Sequence, residues 1–258
     1  MTVKPHSVDK SRSMNEFKCD NCGLLSLCLP DGLKPQEAEQ LEKMIEKSQP
    51  LKKGSYIFHQ GDPFTSIFEV RAGSLKTYTV TNQGEEQITG FYFPGDLIAL
   101  NAIDTSSYPI SAKVLETTTV CEIPYEQLDR LSDQVPRLRR QLIRAMSKEI
   151  REEQQMMLLL SKKTAEERVA TFLLKLSDRY KRRGYSASIF RLSMSRNEIG
   201  NYLGLAVETV SRIFSRFQKQ HLIRVEGKEI EVLSLDTLRQ ISGEIRSDDN
   251  SAEPINPS

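Results

Sequence analysis

The sequence predicts an α+β chain made of an N-terminal double-stranded β-roll, a long dimerisation helix and a C-terminal winged helix-turn-helix. Three observations carry that prediction. Short runs with period-two alternation fill residues 56–123, punctuated by Gly54, Gly61, Gly73, Gly84 and Gly95; many short strands at even spacing imply a double-sheet roll or barrel. The stretch Pro136–Leu160 holds no Gly and no internal Pro, enough for a helix of roughly 37 Å. After residue 162 come two capping signals, a helix pair broken by Gly204, and a hairpin. The expected boundaries are 1–30 for a leader and cysteine loop, 31–135 for the roll, 136–161 for the long helix, 162–246 for the winged helix-turn-helix and 247–258 for a tail.

Taken in order, Met1–Glu16 reads as a disordered leader and Ser247–Ser258 as a disordered tail. Pro35–Lys47 suits a short amphipathic helix with Ala38, Leu41, Met44 and Ile45 inward. Strands are expected at Tyr56–Gln60, Ile67–Arg71, Ser74–Val80, Gln87–Phe93, Ser111–Leu115 and Thr118–Ile123, then a brief helix Tyr125–Leu131. Beyond the long helix, Thr164 with Glu167 opens a helix running through Tyr180. Phe190–Leu192 reads as a strand, and Ser195 with Glu198 opens a helix Arg196–Leu203. Gly204 breaks that helix, Val207–Gln218 resumes it, and Leu222–Leu233 forms the hairpin.

Net charge is only +1, but it is unevenly spread. Residues 31–135 carry 9 Lys/Arg against 16 Asp/Glu, and residues 162–228 carry 15 against 6. An acidic front and a basic back imply that only the back half meets a polyanion. No signal peptide and no membrane span are expected, so the chain is expected in the cytoplasm, where thiols stay reduced. Of His6, His59 and His221, only His59 falls in the roll. Metal-dependent enzymes on such rolls need several histidines, and no nucleophile–base pair can be assembled. The chain is therefore expected not to be an enzyme.

The long helix carries its own pattern. Ile143, Met146, Ile150, Met157 and Leu160 recur at alternating three- and four-residue steps, the spacing of a coiled-coil seam. The missing place between Ile150 and Met157 is Glu153. Leu138, Leu142 and Ala145 form a second stripe for the chain's own body. The pattern describes a homodimer with a carboxylate in its seam. Two copies of Glu153 at the axis would repel by on the order of a few kcal/mol. Alternatively, each swings outward to the partner's Arg151 or the partner's Lys148. Under repulsion, dimerisation is marginal and an upstream event decides it.

Two further constellations carry chemistry. Ile199, Leu203, Leu205, Val210, Phe214 and Phe217 are spaced as the core of a helix-turn-helix pair. That leaves Glu208, Thr209, Ser211 and Arg212 at the exposed start of the second helix, suited to a major groove. Arg212 can grip guanine O6 and N7, and Glu208 can accept from cytosine N4. Thr209, Arg216, Lys219 and Lys228 suit phosphates. A three-helix protein-interaction domain is the bland alternative, disfavoured by the positive balance and the wing. The second constellation is Cys19-x2-Cys22-x5-Cys28, a loop for a metal or cluster. A structural zinc, a redox thiol set and an iron–sulfur cluster all fit it. Cys121, the remaining cysteine, taken alone reads as a buried core thiol on the face of Thr119 and Ile123.

The cysteine spacing, CEIPYE (Cys121–Glu126), LLLSKKTAEER (Leu158–Arg168) and EIGNYLGLAVETVSR (Glu198–Arg212) together resemble the CRP/FNR superfamily of bacterial transcription regulators, and within it the fumarate-and-nitrate-reductase and anaerobic regulators. The similarity runs from about Cys19 to Leu233. It implies a cyclic-nucleotide-binding-like roll and a [4Fe–4S] cluster on Cys19, Cys22, Cys28 and Cys121. It implies a DNA-binding homodimer when the cluster is present, and conversion to a [2Fe–2S] form, monomer and DNA release in oxygen. It further implies TTGAT-like palindromes contacted by Glu208, Ser211 and Arg212, and an RNA polymerase contact at the Thr81–Glu86 turn. A zinc- or thiol-based redox regulator is the alternative on the same scaffold. Two departures stand out. Phe93-Pro94-Gly95-Asp96 keeps the turn of cyclic-AMP-binding relatives, but Tyr108-Pro109-Ile110-Ser111 lacks their phosphate-binding Arg, so no cyclic nucleotide is expected. Ala206 stands where relatives often have Ser or Thr to cap the recognition helix.

Overall fold

The computed structural model describes residues 33–243. The expected leader, the loop with Cys19, Cys22 and Cys28, and the expected tail lie outside the described residues. Helix α1 (Pro35–Met44) starts with Pro in its first turn, and Glu37 accepts from Lys34 N at 2.7 Å. It ends three residues earlier than its apolar periodicity suggests, because the chain leaves the helix at Ile45 to form strand β1 (Glu46–Lys47).

Two four-stranded antiparallel sheets make the roll. One has the order β1-β8-β3-β6, with β3 (Ser66–Ala72), β6 (Leu97–Ile98) and β8 (Thr119–Pro124). The other has the order β2-β7-β4-β5, with β2 (Tyr56–Phe58), β4 (Leu75–Val80), β5 (Glu86–Tyr92) and β7 (Ser111–Val114). Their inward residues, Phe58, Phe68, Val70, Leu75, Ile98, Tyr108 and Val120, form one apolar core. Tyr108 stacks on Phe58 at 4.0 Å between ring centroids, and its hydroxyl donates to Ser66 O at 2.9 Å. Burying that ring therefore leaves no polar group stranded. Gly73 must be glycine: its φ is +83°, and a Cβ there would sit 2.4 Å from Thr117 O.

Helix α2 (Tyr125–Gln134) leads into α3 (Pro136–Lys162), which has Pro at its first position. Leu138, Leu142 and Ala145 pack with Leu41, Ile67, Ile123 and Leu128, so the second stripe lies on the roll as expected. The other stripe is open: Ile143, Met146, Ile150 and Met157 are exposed. Leu160 departs from the seam expectation. It is half-buried against the core of the C-terminal half of the same chain, while Leu158 is 61% exposed. A straight helix drifts about 20° per heptad from the 3.5-residue repeat. Over this length that drift carries Leu160 off the stripe and brings Leu158 towards it.

The remainder is a winged helix. It comprises α4 (Ala165–Arg182), β9 (Ile189–Arg191), α5 (Arg196–Leu203), α6 (Val207–Lys219), β10 (Ile223–Glu226), β11 (Glu229–Val232) and α7 (Leu235–Ser242), with sheet order β10-β11-β9. Both expected capping boxes form, Thr164 with Glu167 and Ser195 with Glu198. One apolar cluster crosses from the roll into this half: Phe91 of β5 meets Phe172 and Tyr202 edge-on at 6.2 and 5.1 Å, and Phe93 joins them. Asn201 of α5 accepts from Ile88 N at 2.6 Å and donates to Glu86 O at 2.7 Å. Lys76 of β4 pairs with Glu198 at 3.1 Å.

Candidate DNA-binding face, dimer stripe and cysteine strand

The turn between α5 and α6 is set by two glycines. Gly204 ends α5 in the left-handed region at φ +64°. Gly200 accepts from Leu205 N at 2.8 Å, and a Cβ on Gly200 would lie 2.6 Å from Leu205 O. Only a missing side chain lets the turn fold back so closely. Val210, Ile213, Phe214 and Phe217 of α6 are buried, which turns the opposite face to solvent. Glu208, Ser211, Arg212, Ser215, Arg216 and Lys219 are exposed there, with Thr209 half-buried among them. Arg212 Nη2 lies 3.2 Å from Thr209 Oγ1. Arg216 is held in an ion pair by Glu166 of α4. The wing's Lys228 Nζ donates to Ser193 O at 3.2 Å, which pins it beside α5. Ala206 offers no side-chain cap to α6.

One residue escaped the sequence reading. The Arg196 guanidinium lies 3.4 Å over the Phe214 ring. Burial alone pushes its pKa down to about 10. Its only sequence signal is its place as first residue of α5, directly after the capping Ser195.

On α3 the open stripe is interrupted where expected. Ile150 is 56% and Met157 70% exposed, and the exposed Glu153 stands between them. One turn earlier Glu149 is half-buried. Burial, then Glu153, then Glu152 push its carboxyl up to about 7, against its hydrogen bond to Tyr92 of β5. Gly90 makes room for that tyrosine, because a Cβ there would come within 2.7 Å of the Tyr92 ring.

Cys121 sits mid-strand in β8, in register with Lys47 of β1 and Glu69 of β3. The face it shares with Ile123 is the one covered by α1, α2 and the start of α3. Cys121 itself is half-exposed, whereas Ile123 is fully buried. The expectation of a buried core thiol is thus corrected. Strand β1 is only two residues long, but it pairs where Cys121 lies, and Ser48 N carries the pairing on to Val120 O at 3.0 Å.

Among the described residues, no helix is long and apolar enough to cross a membrane. The Crp-like helix-turn-helix domain family matches residues 167–241, and the cyclic nucleotide-binding domain family matches residues 48–135. The chain is 58% identical over 234 residues to the transcriptional activator protein anr of Pseudomonas aeruginosa, covering 91% of this chain and 96% of that relative. It is 48% identical over 229 residues to the fumarate and nitrate reduction regulatory protein of Escherichia coli, covering 89% and 92%. Among solved structures, FixK2 from Bradyrhizobium japonicum superposes with a TM-score of 0.70 at 30% identity, over 76% of this chain and 96% of that one. With likeness at this level along nearly the whole chain, and the roll, long helix and reader in this order, the protein belongs to the CRP/FNR family, beside the fumarate-and-nitrate-reduction regulators and the Anr activators.

Proposed function

We propose that this chain is an oxygen-responsive transcription regulator of anaerobic genes. In this reading it works in the cytoplasm, binds TTGAT-type palindromes as a homodimer, and carries a [4Fe–4S] cluster on Cys19, Cys22, Cys28 and Cys121. One observation carries the reading: an exposed apolar stripe, broken by an exposed carboxylate, lies on the helix that joins the roll to the DNA reader. Such a seam is built to pair marginally.

The residues fit the group. Four thiolates are the donor set a [4Fe–4S] cluster needs. Cys121 is half-exposed on the face whose apolar covering includes Leu33. Cys28 precedes Leu33 by five residues, so the chain holds it within about 18 Å of that position. Bound there, the cluster supplies an oxygen-labile tie between residues 19–28 and β8.

The chain's own residues do the rest. Ile123, two residues beyond Cys121, packs with Leu128, Leu131 and Leu138, so the placement of β8 passes directly to the start of α3. Leu138, Leu142 and Ala145 hold that half of the helix on the roll and turn Ile143, Met146 and Ile150 outward to the partner's copies. Glu153 opposes the union. Pairing places two α6 helices at half-sites about one DNA turn apart, roughly 34 Å. Glu208, Ser211 and Arg212 then read bases, and Thr209 and Arg216 meet phosphates. The exposed Thr81–Glu86 turn is a surface for RNA polymerase. The reading includes no cyclic nucleotide, because Tyr108-Pro109-Ile110-Ser111 lacks an Arg to pair with a cyclic phosphate; the stacking of Tyr108 on Phe58 and the pairing of Asp96 with Arg179 and Arg183 support it.

The test is an anaerobic absorbance spectrum with iron and sulfide analysis, before and after air, paired with a gel shift on a TTGAT palindrome. A straw-brown protein that bleaches and leaves DNA is expected. A colourless zinc protein, or metal-free aerobic protein that grips DNA as tightly, would overturn the reading.

A further inference from the structure

Three parts of the molecule converge on one guanidinium. Arg179 belongs to α4 of the winged helix. Its Nη1 donates to Phe91 O at 3.0 Å and to Asp96 Oδ2 at 2.9 Å, both on the roll. Its Nη2 donates to Glu152 Oε2 at 3.2 Å, on the long helix beside Glu153. The Phe93 ring lies 5.7 Å from the guanidinium carbon. Burial works against the charge, but Asp96 and Glu152 outweigh it and hold the group above its ordinary pKa.

The acceptor side is equally prepared. Asp96 Oδ2 accepts from Phe93 N at 3.0 Å, which fixes the carboxylate in the Pro94-Gly95 turn. Its other oxygen takes Arg183 at 3.2 Å, and Arg183 also donates to Arg179 O at 2.9 Å and to Pro94 O. One carboxylate therefore holds two arginines four residues apart, Arg179 in the last turn of α4 and Arg183 at its C-cap. Only a planar fork can serve acceptors on two other elements at fixed angles; a lysine would be a point charge free to favour one of them.

We propose that Arg179 is the positioning residue that locks the winged helix to both the roll and the long helix, and that this lock sets the half-site spacing the dimer accepts. The inference rests on the dimeric DNA-binding reading above. Two readers that sit at a fixed angle to the seam demand one separation of half-sites. Without the Arg179 fork the reader keeps Asn201 and Lys76 against the roll, Arg183 on Asp96, and Arg168 on Leu160 O at the very end of α3. It loses the ion pair to Glu152 that fixes its angle to the body of the long helix, and can shift to follow the DNA.

The experiment uses full-length, anaerobically prepared protein and three duplexes. One carries two inverted TTGAT half-sites at the best-bound spacing; the others have one central base pair added or removed. Arg179→Gln removes the fork. Glu152→Gln removes only the charge from the link to α3, at a half-buried side chain outside the apolar clusters. Wild type is expected to prefer the first duplex strongly. Arg179→Gln should lose about tenfold in affinity for it, the worth of one charged hydrogen bond, and should bind the three duplexes within a few-fold of one another. Glu152→Gln should flatten the preference part of the way with the dimer fraction unchanged. A purely structural role would lower all three affinities by one factor; preserved discrimination in both variants overturns the inference alone. A wild type that binds all three alike overturns the inference and the dimeric reading together.

Discussion

Glu149 on α3 lies against the hydroxyl of the half-buried Tyr92 on β5, where the long helix meets the roll. The site raises the carboxyl from 4.5 to about 7 through burial and the neighbouring Glu153 and Glu152. A carboxyl whose folded pKa exceeds its unfolded value binds its proton more tightly in the fold. Its contribution is complete below pH 4.5, fades between pH 4.5 and about 7, and is gone above that. Glu149→Gln should therefore match wild type in stability near pH 4.5 and exceed it by on the order of 1–3 kcal/mol at pH 8. Urea unfolding at the two pH values checks this; parallel pH profiles would defeat it.

Glu153 adds to that strain and faces the seam as well. Removing it takes away the carboxylate that two protomers must bring together. Glu153→Ala should raise the dimer fraction, and DNA binding by protein handled in air, about tenfold. A gel shift with aerobically prepared protein checks this, and unchanged aerobic binding would count against a repulsive seam.

Ile150 tests the same surface from the other side. It is the most central apolar residue of the open stripe. Ile150→Glu would set a second pair of carboxylates one turn from the first. Dimerisation should then be lost even under argon, while the monomer stays folded because Ile150 is 56% exposed and belongs to none of the apolar cores among the described residues. Sedimentation showing an ordinary dimer would remove the seam assignment.

The turn of the reader can be probed at Gly200. A methyl there would collide with Leu205 O, and backbone cannot swing aside as a side chain can. Gly200→Ala should cost about 2 kcal/mol and weaken binding to every DNA sequence alike. A melting curve and a gel shift are enough to see it.

Where local chemistry repeats in the sequence, the fold could be read from it. Helix α5 has its expected bounds because Ser195 and Glu198 open it and Gly204 closes it. Helix α7 is not expected from the sequence, although Ser234 caps it by accepting from Thr237 N and Gly243 ends it at φ +69°. Those signals are single residues without the Glu that completes a capping box. Strand β6 is two residues long and has no alternation to detect. The DNA face was legible because a helix period separates Val210, Phe214 and Phe217 from Glu208, Ser211 and Arg212. The Arg179 junction was not, because Asp96 and Glu152 stand 83 and 27 residues away and such pairings leave no periodic trace. The exposure of Cys121 was hidden for a related reason: alternation gives the face of a strand, not how much of that face the neighbouring elements cover.

Ala206 bears on how firmly α6 begins. The residue has φ −63° and ψ 146°, the extended geometry of a helix N-cap. Its carbonyl already accepts from Thr209 N at 3.0 Å and Val210 N at 3.1 Å. Only the side-chain acceptor is missing, so a first-turn amide of α6 lacks the oxygen that Ser or Thr would supply. Ala206→Ser requires no change in backbone and buries nothing new, since position 206 is exposed. It should add about 1 kcal/mol and raise the melting temperature by roughly 2–4 °C. Base preference should stay the same, because Glu208, Ser211 and Arg212 keep their places on the helix. Differential scanning calorimetry beside a binding series over single-base operator variants reads both. A serine that leaves the melt unmoved would mean that the open amide is already satisfied by solvent.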